Sequence, residues 1–164
     1  MPILDAGSLR FVSRSPEQTR RLGMRMGTQL HRGDVICLSG DLGAGKTTLV
    51  QGIASGWGSP DQVTSPSFIL VNLYQKPDGG RLHHLDAYRL ESCREAEDLD
   101  LNAMLDGGIL VVEWAERIGA ALPPDRLWIE MIWIDDEQRS LVFTPWGERS
   151  EALLLEFRKR TFGG

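Results

Sequence analysis

The residues best suited to chemistry fall into three groups. The first is GDLGAGKT, Gly40 to Thr47, which matches G-x-x-x-x-G-K-[ST] in full. Glycines let such a loop curl until successive N–H groups point inward at phosphate oxygens, and a helix starting behind it adds partial positive charge. Lys46 then reaches the β- and γ-phosphates, and the Thr47 hydroxyl binds Mg2+. The second group is a pair of acids that end apolar runs, Asp86 in LHHLDAYRL and Glu113 in ILVVEW. The third is VTSPSFILV, residues 63–71, where Thr64, Ser65 or Ser67 could sense a γ-phosphate and Pro66 keeps the residue before it extended.

A phosphate loop binds; hydrolysis also needs an acid near the metal. The usual second signature, four apolar residues followed by Asp-Glu, does not occur. Asp86 and Glu113 are its partial substitutes. In open α/β sheets ligands bind beyond the carboxyl ends of the strands, so both acids could converge on the loop. Each also has a plainer explanation: Glu113 as a solvated strand end, Asp86 as a cap on the YRL turn. The VTSPSF stretch can equally be a loop entering a strand. Asp41 is unusual beside phosphates, and its side chain is expected to point away from them, with no catalytic role. No guanine-specific N-K-x-D is present, which favours adenine or an unselective pocket. Glu17 and Thr19 mark one possible wall for the base. His83 and His84 read as structural, one facing in and one out, with no third ligand for zinc. Trp114 suits either core packing or a partner contact.

The elements that must position these groups follow from pattern. LRFVS, residues 9–13, alternates like a strand. Ser15, Pro16 and Gln18 then form a helix start with a capping box. Leu22, Met26 and Leu30 make one apolar stripe on that helix, with Gly23 and Gly27 beside it for close packing. DVICLS, 34–39, is a buried strand before the loop, and a helix is expected over 46–57. SFILVNLY and RLHHLD should form a hairpin around PDGG. Short helices are expected over 91–106, then the strand ILVVE. RLWIEMIWID and RSLVFTPW read as strands joined by DDEQ, and a helix over about 148–160 follows. Buried strands separated by helices predict a three-layer α/β, P-loop NTPase-like fold. Its central sheet should be mixed and largely parallel, with antiparallel hairpin strands.

Bulk properties fit one domain over 1–164. The chain is 41% hydrophobic and 25% charged, with net charge −5, which argues against gripping nucleic acid through a basic surface of its own. Cys37 and Cys93 are too few for a disulfide framework, and Cys37 reads as a small core hydrophobe. No signal-peptide pattern or membrane-length apolar run is present, so the expected setting is cytoplasmic, without membrane contact.

Taken together, GDLGAGKTTL, VTSPSF, HLDAYRL and VVEW resemble the bacterial TsaE family, in its order and with similar spacing. The likeness runs from the SPEQT helix to Trp114; the C-terminal third matches only loosely. It implies a P-loop ATPase, slow on its own, required for N6-threonylcarbamoylation of adenosine 37 in tRNA. Such an ATPase works in a complex with a threonylcarbamoyl transferase and its non-catalytic paralogue, and meets tRNA through them. ATP and Mg2+ are the implied cofactors. Gly40, Asp41, Leu42, Gly43, Ala44, Gly45, Lys46, Thr47 and Thr48 would hold the nucleotide. Thr47 and Glu113 would hold Mg2+, while Asp86 and Lys46 would serve hydrolysis. The SPSF serines suit nucleotide sensing, and Trp114 belongs to the family signature. Ser67 stands where threonine is more usual, and Ala115 where proline is common. Two rivals remain: a small-molecule kinase with ERIGAALPPDR as a lid, and a nucleotide-gated binding module with negligible hydrolysis.

Overall fold

The run VICL is apolar throughout because β2 (Val35–Gly40) is buried on both faces. Val35 and Cys37 pack into one core cluster, Ile36 and Leu38 into the other. Burial pushes the Cys37 thiol up to about 12, as for an inert small hydrophobe. The computed structural model describes residues 7–41, 45–64, 71–90 and 93–163. A seven-stranded sheet of order β1-β7-β6-β2-β5-β4-β3 divides the two clusters. The other strands are β1 (Leu9–Ser13), β3 (Val71–Gln75), β4 (Arg81–Asp86), β5 (Gly108–Glu113), β6 (Arg126–Trp133) and β7 (Arg139–Trp146). The β6-β2-β5-β4 core is parallel, and the outer pairs β1–β7, β7–β6 and β4–β3 are antiparallel. Only β3 and β7 therefore run against the common direction, so the sheet is mixed but mostly parallel.

One face is covered by α1 (Pro16–Gly27), α2 (Lys46–Trp57) and α5 (Glu148–Phe162). Leu22, Met26, Leu49, Ile53, Leu153 and Phe157 come from these helices and meet Ile36, Leu38, Ile129 and Phe143 of the sheet. The other face carries α3 (Cys93–Glu97), α4 (Leu101–Gly107) and a 3-10 helix (Ala115–Ala121). The short helices expected over 91–106 are thus α3 and α4, and Glu91 and Ser92 lie outside the described residues. So do residues 65–70, which include the start of the strand expected at Ser67. Among the described residues, no helix is long and apolar enough to cross a membrane.

Local chemistry explains the helix ends. Ser15 caps α1 by accepting from the Gln18 amide at 3.1 Å, with Pro16 in the first turn. The Gln18 side chain reaches back to the Arg14 amide at 2.7 Å, one residue before the cap. Gly23 and Gly27 permit the close packing expected of them. A Cβ on either would stand 2.5 Å from the Leu49 carbonyl or 2.2 Å from that of Ile53. From α2, Gly52 and Gly56 approach the Arg20 and Met24 carbonyls, each at 2.0 Å from such a Cβ. This glycine seam seats α2 against α1 and so fixes where Lys46 and Thr47 begin.

At α5 the cap residue is Gly147, at φ 112, and supplies no side chain of its own. Asp125 substitutes from the loop before β6, accepting from the Arg149 and Ser150 amides at 2.9 and 3.0 Å and from the Ser150 hydroxyl at 2.6 Å. Burial alone would raise the Asp125 pKa, but those hydrogen bonds outweigh it and hold the carboxyl below its ordinary value. A depressed carboxyl contributes stability above its unfolded pKa of about 3.9, and that contribution is lost as pH falls through the folded value. Asp125→Ala should therefore lower the unfolding free energy by about 1 kcal/mol at neutral pH. Urea denaturation should show the deficit closing in acid; an undiminished gap at about pH 2 would contradict this assignment.

Candidate nucleotide-binding site

β2 and α2 bracket the glycine loop, as a phosphate site requires. Gly40 ends β2, and Gly45 is the left-handed residue that opens α2, at φ 93. Leu42, Gly43 and Ala44 lie outside the described residues. Asp41 is exposed. Lys46 is buried, and its Nζ donates to the Gly40 and Asp41 carbonyls at 2.8 Å each. The same ammonium sits 4.1 Å from the Trp114 ring centroid, a cation–π contact that covers it from solvent. Burial draws the Lys46 pKa down, against the opposing pull of Glu113, Glu116, Asp41 and Asp86.

Asp86 and Glu113 are register partners at the carboxyl ends of β4 and β5, and β5 lies beside β2. Both acids therefore stand on the rim from which the phosphate loop leaves. Glu113 is only 3% exposed, far more buried than a solvated strand end. The Thr47 hydroxyl reaches its Oε1 at 3.2 Å and its Oε2 at 3.4 Å. Asp86 is half-buried and accepts from the Tyr88 amide at 2.9 Å, so it also caps the turn after β4. Burial, aided by the Glu113 charge, raises the Asp86 pKa, while the Tyr88 amide, His84 and Lys46 oppose the shift.

Two site residues were not singled out from sequence. His84 was read as structural, and it is indeed the inward histidine, but its Nε2 lies 2.5 Å from Glu113 Oε2. Glu116, in the 3-10 helix, accepts from the Gly40 amide at 3.4 Å. Neither contact has a local signal, because each joins residues far apart in sequence. Trp114 occupies left-handed backbone at φ 58, which turns the chain sharply after Glu113. Its ring packs against Tyr88 at 4.8 Å, and the Arg117 guanidinium covers Tyr88, also at 4.8 Å. The stretch considered as a lid buries Ile118 and Leu122 in the core instead of standing free.

Of the expected base wall, Glu17 is exposed, while Thr19 is buried with its hydroxyl 2.6 Å from Ser13 Oγ. Thr19 nonetheless borders a small cavity of about 40 Å³ with Pro16, Gly45, Thr48 and Arg139, beside the head of α2. In the 63–71 stretch, Thr64 is exposed and its carbonyl accepts from Asn72 Nδ2 at 3.1 Å. Ser65, Pro66 and Ser67 lie outside the described residues.

The Thr47 hydroxyl and the Glu113 carboxylate are hard oxygen donors. That set suits Mg2+, which takes one or two carboxylates and completes its shell with phosphate oxygens and water. A buried strand, a glycine loop and a helix headed by Lys-Thr define the P-loop class of nucleotide-binding folds.

Comparison with known proteins narrows the class. The family model for threonylcarbamoyl adenosine biosynthesis protein TsaE matches residues 13–141. The tRNA threonylcarbamoyladenosine biosynthesis protein TsaE of Bacillus subtilis is 39% identical over 153 residues, spanning 92% of this chain and 94% of the relative. Its counterpart from Streptomyces coelicolor is 43% identical over 139 residues, or 79% and 92% of the two chains. The crystal structure of Bacillus subtilis YdiB superposes with a TM-score of 0.80 at 35% identity, covering 93% of this chain and 95% of that one. This chain belongs to the TsaE family.

The left-handed backbone at Gly45 has a direct consequence. A side chain there costs about 1–2 kcal/mol in that conformation. Gly45→Ala should lower the thermal midpoint and weaken nucleotide binding together; an unchanged midpoint would show that the loop relaxes at no expense.

Proposed function

We propose that the chain is one P-loop domain over 1–164 that binds and slowly hydrolyses ATP with Mg2+. Its turnover supports N6-threonylcarbamoylation of adenosine 37 in tRNA. In this reading it acts in the cytoplasm, in a complex with a threonylcarbamoyl transferase and its non-catalytic paralogue. The net charge of −5 suits contact with tRNA through those partners. The observation that carries the reading is the approach of Thr47 to a buried Glu113 at 3.2 Å, at the head of the P-loop helix.

The residues then divide the work. Gly40, Asp41, Leu42, Gly43, Ala44 and Gly45 would hold the phosphates through the loop that they form, and Thr48 lies at the same helix start. Lys46 exchanges its two carbonyl acceptors for β- and γ-phosphate oxygens. Thr47 and Glu113 hold Mg2+, which neutralises charge on the phosphate oxygens. Asp86, two strands from β2, orients the attacking water, and its raised pKa suits brief proton acceptance.

Three variants separate these roles. Lys46→Ala should abolish measurable nucleotide binding. Glu113→Ala should lose the part of ATP affinity that depends on Mg2+. Asp86→Asn should keep binding while partner-stimulated hydrolysis falls by about a hundredfold or more. Full hydrolysis in both acid variants would remove the catalytic assignments. Co-purification with the transferase pair, held by a non-hydrolysable ATP analogue, is expected; failure of every such association would contradict the proposed complex.

A further inference from the structure

Glu113 has two carboxylate oxygens but only one short contact. Thr47 stands 3.2 and 3.4 Å from them, long for a charge-assisted bond between oxygens. His84 Nε2 is 2.5 Å from Oε2. The histidine is wholly buried, on β4, one pleat before the register partner of Glu113. Its ring is itself fixed. Nδ1 lies 2.8 Å from the Tyr74 hydroxyl, which is 3.2 Å from the Thr64 carbonyl oxygen. The Tyr74 and His84 rings also pack at 5.7 Å. Rotating the imidazole would break contacts at both nitrogens at once. A histidine that merely filled the core would leave two polar atoms to be satisfied where an aliphatic residue would leave none. Here both are engaged, and one partner is the acid at the nucleotide site.

We infer that His84 is a positioning residue for Glu113. It holds Oε2, so that Oε1 is presented beside the Thr47 hydroxyl as the single metal-ligating oxygen, and Tyr74 locks the ring that does so. The inference rests on Glu113 being the carboxylate ligand to Mg2+. Partners of this kind orient metal ligands, and their loss typically weakens metal affinity by about tenfold or more.

Binding of a fluorescent ATP analogue, titrated once with Mg2+ and once with EDTA, tests this without relying on turnover. The ratio of the two affinities measures the contribution of the metal, and the EDTA value reports whether the pocket is intact. His84→Gln carries an amide near the position of Nε2 and can still hold Glu113. His84→Asn reaches only the position of Nδ1 and cannot. The Asn variant should lose about tenfold of the Mg2+-dependent gain with EDTA affinity unchanged, and the Gln variant should retain most of it. Tyr74→Phe should show a smaller loss than Asn. Equal behaviour of Asn and Gln, whether both retain or both lose the gain, would overturn the positioning role. Glu113→Ala runs alongside: if it kept the full gain, the metal-ligand reading of Glu113 itself would fall. If it lost the gain while both His84 variants kept theirs, only the role of His84 would fall.

Discussion

A carboxylate with almost no solvent exposure is the constraint around which the rest of the site is arranged. Glu113 ends a strand that is buried along its whole length, and an ionised carboxylate there is tolerated only with polar partners. Those partners come from different parts of the chain: Thr47 from the start of α2, and His84 from β4. Each must arrive at the same point on the rim of the sheet. The parallel core β2-β5-β4 achieves this, because it brings three strand ends side by side on one edge.

Packing far from the rim sets the remaining coordinates. Thr47 can meet Glu113 only if α2 starts at the right height, and α2 is held by backbone-to-backbone contact with α1 through the glycines of both helices. Lys46 is pinned in turn by two carbonyls of its own loop and by the face of Trp114. That arrangement satisfies a buried ammonium through groups of the chain itself. It also gives Trp114 a definite contact: the residue after Glu113 turns the chain through left-handed backbone and lays its ring over Lys46.

Much of this was legible in the residues themselves. The strand and helix flanking GDLGAGKT, the hairpin at PDGG and the two C-terminal strands follow from local periodicity and turn chemistry, and among the described residues they appear where they were expected. The acids Asp86 and Glu113 were visible as strand ends because a charged residue closing an apolar run is a local signal. What joins them to other groups was not local. His84 meets Glu113 only through the β4–β5 register, which displaces the two residues by one pleat. Glu116 meets Gly40 through the 3-10 helix folding back over the rim, and Asp125 caps α5 from another loop. Each partnership depends on tertiary register, about which single-sequence patterning says little. The pair His83-His84 illustrates the limit: alternation showed that one histidine must face inward, but not what it would touch.

The most direct test is a crystal structure of this chain with Mg2+ and a non-hydrolysable ATP analogue. Mg2+ should lie at about 2.1 Å from Thr47 Oγ1 and from one oxygen of Glu113. Lys46 should have moved from the Gly40 and Asp41 carbonyls to the phosphates. A metal bound by Asp86, with Glu113 left free of it, would contradict the account.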